Sequence, residues 1–226
     1  MPSYSGVFTL QAQMQAKAAS NWPDPNVPSV IGQAFGGGFY AGQIGVSSVA
    51  THYLIVGPVA SAQAGTTLQY KNANTATVGA DSVTDGSQNT ADIVADGNST
   101  VYPAGHFCND LVIGGFSDWY MPAKNELEIC YYNLKPTTAA NTTSFGINAN
   151  AVPARASNYT TGNPAQTTAA IFVTSTGTEA FLATNYWSST EFSTTAASYK
   201  TFVNGYQYNG NKTNTYRVRA IRRIAV

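Results

Sequence analysis

The residues able to do chemistry are few and scattered. Glu126, Glu128, Glu179 and Glu191 could in principle supply a glycosidase pair. Such a pair needs two carboxyls about 5–9 Å apart on either side of a sugar. Glu126 falls on a helical pattern and Glu191 closes the run YWSSTE, positions that suit framework hydrogen bonds. Asp81, Asp85, Asp92 and Asp96 are spaced by four, seven and four, which does not match the alternate-position ligands of a calcium loop. They read as turn residues and helix caps. His106, Cys108 and Asp110 are two apart on a predicted helix, so they point in different directions, and no CxxC or HxxxH spacing accompanies them. His52 stands alone in a strand pattern. Cys108 and Cys130 are too few for a disulfide scaffold; buried free thiols are preferred, with a bridge between helices left open. No acid, base or nucleophile converges with another, and no Gly-rich loop leads into Lys-Ser or Lys-Thr. The expectation is a protein that is not an enzyme, with no cofactor and no metal.

A different chemistry is concentrated near the C-terminus. VNGYQYNGNKTNTY, residues 203–216, interleaves Tyr206, Tyr208 and Tyr216 with Asn204, Asn209, Asn211 and Asn214. Two residues apart on a strand share a face, so Tyr206 and Tyr208 are expected side by side. Tyrosines and amides stack and hydrogen-bond with little loss of side-chain entropy. Three uses stay open for this surface: ligand display, subunit contact, or an ordinary solvated sheet. RVRAIRRI, residues 217–224, follows with apolar residues between arginines. That interleaving predicts a strand with framework ion pairs rather than a phosphate patch.

Composition narrows the classes. The 226 residues carry 11 cations and 11 anions, with only 10% charged. No basic surface is available to steer toward nucleic acid or acidic membranes, so neither is expected as a partner. No apolar run approaches the ~20 residues that span a bilayer. The opening MPSYSGVFTLQAQ lacks a basic start and an apolar core, so it is not expected to act as a signal peptide. Synthesis in a cytoplasm is expected, and release inside a virus particle is one route outward.

The elements that must hold these residues can be read in outline. Leu10, Met14 and Ala18 give a thin helical stripe, ended by Pro23, Pro25 and Pro28; residues 1–35 read as a docking segment and stiff linker. Residues 36–226 form the main domain. Phe39–Val46 and His52–Val59 predict a hairpin. Residues 60–100 read as mostly loop, with a short helical turn near Asn89–Ala95. Pro103–Leu111 predicts a first helix and Pro122 starts a second, whose Leu127, Cys130, Tyr131 and Leu134 form a core stripe. Residues 137–177 form a long polar insertion, expected to have a job or a partner. The remainder predicts one antiparallel meander. The fold class is α+β, with the first and last strands pairing.

GGFSDWYMPAKNEL, YWSSTE, the Phe-x-x-Gly of Phe202–Gly205 and the terminal YRVRAIR together resemble a C-type-lectin-like domain. Such domains occur in bacteriophage tail-fibre tips and bacterial surface proteins. They are similar to variable proteins diversified by retroelements. The likeness covers roughly residues 36–226. It implies a C-type-lectin-like fold with two helices, an antiparallel sheet and long loops. Framework residues would be Trp119, Pro122, Trp187 and Arg219. The implied display surface is Phe192, Tyr199, Asn204, Tyr206, Tyr208, Asn209, Asn211, Lys212 and Asn214. A homotrimer in a virion tail is implied, docked to other tail proteins through residues 1–35 and binding a host glycan or protein. A virion decoration protein and a polysaccharide depolymerase are the alternatives. The sequence lacks the Glu-Pro-Asn and Gln-Pro-Asp tripeptides of calcium-dependent lectins, so calcium-bridged sugar binding is not expected.

Overall fold

A computed structural model describes residues 27–226. The predicted docking helix on Leu10, Met14 and Ala18 lies outside the described residues. The chain is α+β, as expected, in a C-type-lectin-like arrangement of antiparallel sheets and helices.

The first sheet has the order β1–β2–β3–β9, from strands Ala34–Phe35, Gly38–Val46, Val49–Val56 and Ile221–Ala225. It begins inside the segment expected to be linker, because Ala34 pairs with Phe39 and Phe35 with Gly38. Gly36 and Gly37 make that turn at φ 57° and 82°, the left-handed pair a two-residue hairpin of this twist needs. The last strand lies against β3, with Ile55 opposite Arg222. The last strand thus joins the sheet of the first strands, but it pairs with β3, and the first strand lies at the far edge rather than beside it as expected.

Alternation along β3 splits the core in two. Tyr53 and Ile55 join one apolar cluster, with Ile93, Cys108, Trp119 and Trp187. Leu54 and Val56 join the other, with Leu127, Cys130, Tyr131, Leu134 and Phe202. Period two places these sets on opposite faces, so the sheet is apolar on both sides and is covered on both.

Four α-helices are described, where two were expected: α1 (Val59–Ala62), α2 (Gly86–Asp96), α3 (Pro103–Asn109) and α4 (Lys124–Leu134). The short helical turn expected near Asn89–Ala95 is the longer α2, whose N-cap Asp85 accepts a hydrogen bond from the Gln88 amide. Its Ser-Gln-Asn-Thr start has little apolar periodicity, and tertiary packing outweighs propensity there. Pro122 is not the first residue of α4. Ala123 is the N-cap, and the Glu126 carboxylate reaches back to the Ala123 amide at 2.8 Å. Pro122 stays extended, its carbonyl accepting from the Ser189 amide. The predicted stripe Leu127, Cys130, Tyr131 and Leu134 is fully covered. Both cysteines are buried free thiols.

The predicted single meander divides. Strands β5 (Asn185–Ser193), β6 (Ala196–Thr201) and β7 (Gln207–Asn211) form their own antiparallel sheet. β8 (Thr215–Tyr216) instead pairs with β4 (Leu68–Gln69), and β9 joins the first sheet. The insertion over 137–177 packs onto α4. The Tyr131 hydroxyl donates to Asn141 at 2.6 Å, and Lys135 Nζ donates to the Ala139 carbonyl at 2.6 Å.

Candidate functional site

Four residues implied as framework are all interior. Trp187 is fully buried, its indole N–H donating to the Leu68 carbonyl at 2.9 Å. Trp119 donates to the Phe116 carbonyl at 3.1 Å. Arg219 is 1% exposed; it bonds the Gly57 and Glu179 carbonyls and pairs with the Glu179 carboxylate at 2.9 Å. Its guanidinium also lies 4.7 Å from the Phe181 ring. The other C-terminal arginines take partners as predicted, Arg222 with Asp118 and Arg223 with Asp85.

On this frame β5–β7 carries a run of aromatic rings. Register sets Trp187 opposite Tyr199, and Tyr199 opposite Tyr208. Opposed residues in antiparallel strands share a face, so these three form one lane from core to solvent. Tyr206 lies beside Tyr208, ring centroids 5.6 Å apart. Tyr216 reaches over from β8, 4.8 Å from Tyr199 and 4.4 Å from Trp187. Phe145, from the insertion, meets Tyr206 at 5.1 Å. The phenols are close enough to act on one another. Burial first, then the Tyr216, Tyr206 and Tyr208 phenols, push the Tyr199 hydroxyl above its ordinary range. Among the described residues, the hydroxyls of Tyr199, Tyr206 and Tyr208 have no hydrogen-bond partner. Tyr208 is 56% exposed.

The remaining predicted display residues divide. Lys212 is not on the surface at all. It is 0% exposed, and its ammonium binds Glu191 at 2.8 Å, the Thr75 carbonyl at 2.7 Å and the Thr77 hydroxyl at 3.1 Å. A buried cation needs such a shell, and the neutral alternation around it gave no sign that the lysine turns inward. Asn209 and Asn211 lie on the face opposite Tyr206 and Tyr208, because they occupy the other parity of β7. Asn209 accepts from the Ser198 hydroxyl at 2.9 Å. Asn204 closes a turn onto the Tyr206 amide at 3.2 Å. Asn214 donates to the Tyr216 hydroxyl at 3.3 Å and so stays with the tyrosines. Phe192 is exposed at the β5–β6 turn. Sequence reasoning missed Phe145 and Gln207. The polar insertion gave no signal that it returns beside β7.

The carboxylates considered for catalysis are all committed to the scaffold. Glu191 also accepts from the Thr77 amide at 2.6 Å. Glu128 holds Arg155, Asn148 and the Tyr159 hydroxyl. Glu126 is 0% exposed and binds the Ala123 and Gly86 amides and the Tyr120 hydroxyl. Burial pushes its carboxyl up to about 7, although those hydrogen bonds oppose the shift. No group of three or more His, Cys, Asp or Glu able to hold a metal is found among the described residues. A depression of about 260 Å³ lies where the insertion meets the sheet, lined by Lys124, Glu128, Phe145, Asn158 and Gln207 among others.

What the geometry offers is a stacking surface whose hydroxyls have no partner among the described residues. Comparison with curated proteins returns no match. Residues 65–222 match the family described as the Lcl C-terminal domain. That span covers α2–α4, the whole β5–β7 sheet and Arg219, and by it the chain belongs to the Lcl C-terminal domain family.

Proposed function

We propose that this chain is a non-catalytic receptor-binding protein whose tyrosine face recognises a glycan or protein on a bacterial cell surface. The observation that carries the reading is the cluster of Tyr199, Tyr206, Tyr208 and Tyr216, with three hydroxyls free of partners among the described residues. Rings of this kind bind sugars and peptides alike, with apolar faces for stacking and rim hydroxyls for hydrogen bonds. The neutral charge balance favours a partner recognised by shape and hydrogen bonds rather than by long-range attraction. In finer detail, the chain serves as a phage tail-fibre or tail-tip protein. Residues 1–35 dock to other tail proteins, and several copies per particle multiply a weak single contact.

The test is binding of labelled protein to a panel of intact bacteria and to arrayed glycans, for the native chain and for Tyr206→Ala/Tyr208→Ala. The double variant should bind at least about tenfold more weakly, because aromatic anchors dominate such contacts, while its thermal midpoint stays within a few degrees. Equal binding by the two proteins, or none by the native chain, would sink the proposal.

A further inference from the structure

Among the described residues the outer edge of β7 is open, and we infer that it pairs with the β7 of a second copy, joining two three-stranded sheets into one of six strands. The direction of its backbone groups follows from the register. The Thr201 amide donates to the Tyr206 carbonyl at 2.9 Å, and the Lys212 amide donates to the Thr195 carbonyl at 3.1 Å. With Tyr199 opposite Tyr208 and Ala197 opposite Gly210, Tyr206, Tyr208, Gly210 and Lys212 turn their backbone groups toward β6. Alternation then turns those of Gln207, Asn209 and Asn211 outward. The Asn211 carbonyl is taken by the Asn214 amide. No partner among the described residues meets the amide or carbonyl of Gln207 or of Asn209.

The edge also lacks the devices that keep strands apart. Exposed edges are commonly blunted by lysine, proline or a bulge. β7 reads Gln-Tyr-Asn-Gly-Asn, without charge or proline, and its pairing with β6 has no register shift, unlike β2–β3 and β5–β6. The occupant follows from self-complementarity. An antiparallel pair centred on Asn209 sets Asn209 against its own copy, where the two exchange both backbone hydrogen bonds. Gln207 then lies opposite Asn211 and Tyr208 opposite Gly210. Amide side chains can donate to and accept from their own kind, as a row of lysines or glutamates cannot. A large ring meets a residue without a side chain. The pair also puts Tyr199, Tyr206 and Tyr208 of both copies on one face, doubling the surface offered to a receptor.

The experiment is sedimentation equilibrium of the full chain across a hundredfold range of concentration, with Asn209→Lys and Asn209→Pro beside it. The native chain should show a reversible dimer. Asn209→Lys sets two cations opposite each other, which opposed strands disfavour, and should raise the dissociation constant at least about tenfold. Asn209→Pro removes an outward N–H without breaking a backbone bond to β6, losing only the side-chain bond from Ser198 that Asn209→Lys loses too, and should act likewise, as proline is tolerated on edge strands. Each variant loses the hydrogen bond from Ser198, so its melting midpoint should fall by no more than a few degrees; if the proline variant fails to fold, the lysine variant still decides. A native chain that is monomeric throughout, or a dimer or trimer unmoved by Asn209→Lys, overturns the proposal. The readout is mass, so it stands or falls apart from receptor binding.

Discussion

Lys212 and Tyr208 lie on the same short stretch of chain and meet opposite ends. Lys212 is sealed inside the chain and spends its charge on Glu191, while Tyr208 is 56% exposed with its hydroxyl free among the described residues. The contrast extends across two regions. Beneath the sheets, Arg219, Lys200, Lys212, Glu126 and Glu128 are buried, and every buried side-chain polar atom among the described residues has a partner. On the β5–β7 face the groups are neutral phenols and amides. This chain uses scarce charge to fix its interior and leaves the exposed sheet to neutral residues. A buried charge is costly unless paired, so it specifies one arrangement. A neutral aromatic surface costs little to desolvate and can accept varied partners.

The interior half of that contrast breaks most sharply at Arg219. Replacing it with methionine leaves the Glu179 carboxylate without its cation beside Phe181. A loss of about 3–5 kcal/mol is expected, the range for breaking one side of a buried pair, and urea denaturation would measure it. Adding Glu179→Gln should recover part of the loss by removing the stranded charge. A single variant as stable as the native chain would show that the pair is not part of the frame.

Glu126 offers the next largest effect, one that depends on pH. Burial raises its folded pKa to about 7, above an ordinary 4.5. The unfolded chain therefore releases the proton at lower pH than the folded chain does. Stability from this group is fully present below about pH 4.5 and is lost as pH rises through about 7, by on the order of 3 kcal/mol. His52 acts with the opposite sign, because burial and then Arg223 lower its pKa. The useful quantity is thus the difference between native and Glu126→Gln stability at pH 4.5 and 7.5. That difference should shift in favour of the variant at the higher pH; a difference constant with pH would break the assignment.

Much of the frame was legible because its signals are local. The α4 stripe, the glycine-turned strands and the basic-apolar tail each announce themselves by period or by turn chemistry. The tail's partner was not legible. A five-residue strand can continue a meander or cross to another sheet, and only the covering of Ile55 and Val56 decides for β9. The candidate face was half readable. Two-residue spacing put Tyr206 and Tyr208 together, and the same parity should have put Asn209 and Asn211 on the other side. Lys212 was misplaced because its carboxylate partner, Glu191, is distant in sequence and falls within the framework run YWSSTE. Phe145 belongs to the face through a loop whose sequence has no period to read.

The smallest effects test the exposed half. Tyr208→Ala removes an exposed ring that carries no internal hydrogen bond, so stability should change by no more than about 0.5 kcal/mol. Binding to whichever cells the native protein labels should nonetheless fall. That binding should also vary less than about twofold between 50 and 500 mM salt, because no net charge and no basic patch are present to be screened. A steep salt dependence would move recognition away from the tyrosines. It would point to Lys124, at the depression beside Gln207, and the division of labour between charged interior and neutral surface would not hold. Weak salt dependence with Tyr208→Ala binding normally would keep the neutral character but move the contact elsewhere on the sheet, with Phe192 at the β5–β6 turn as the next ring to remove.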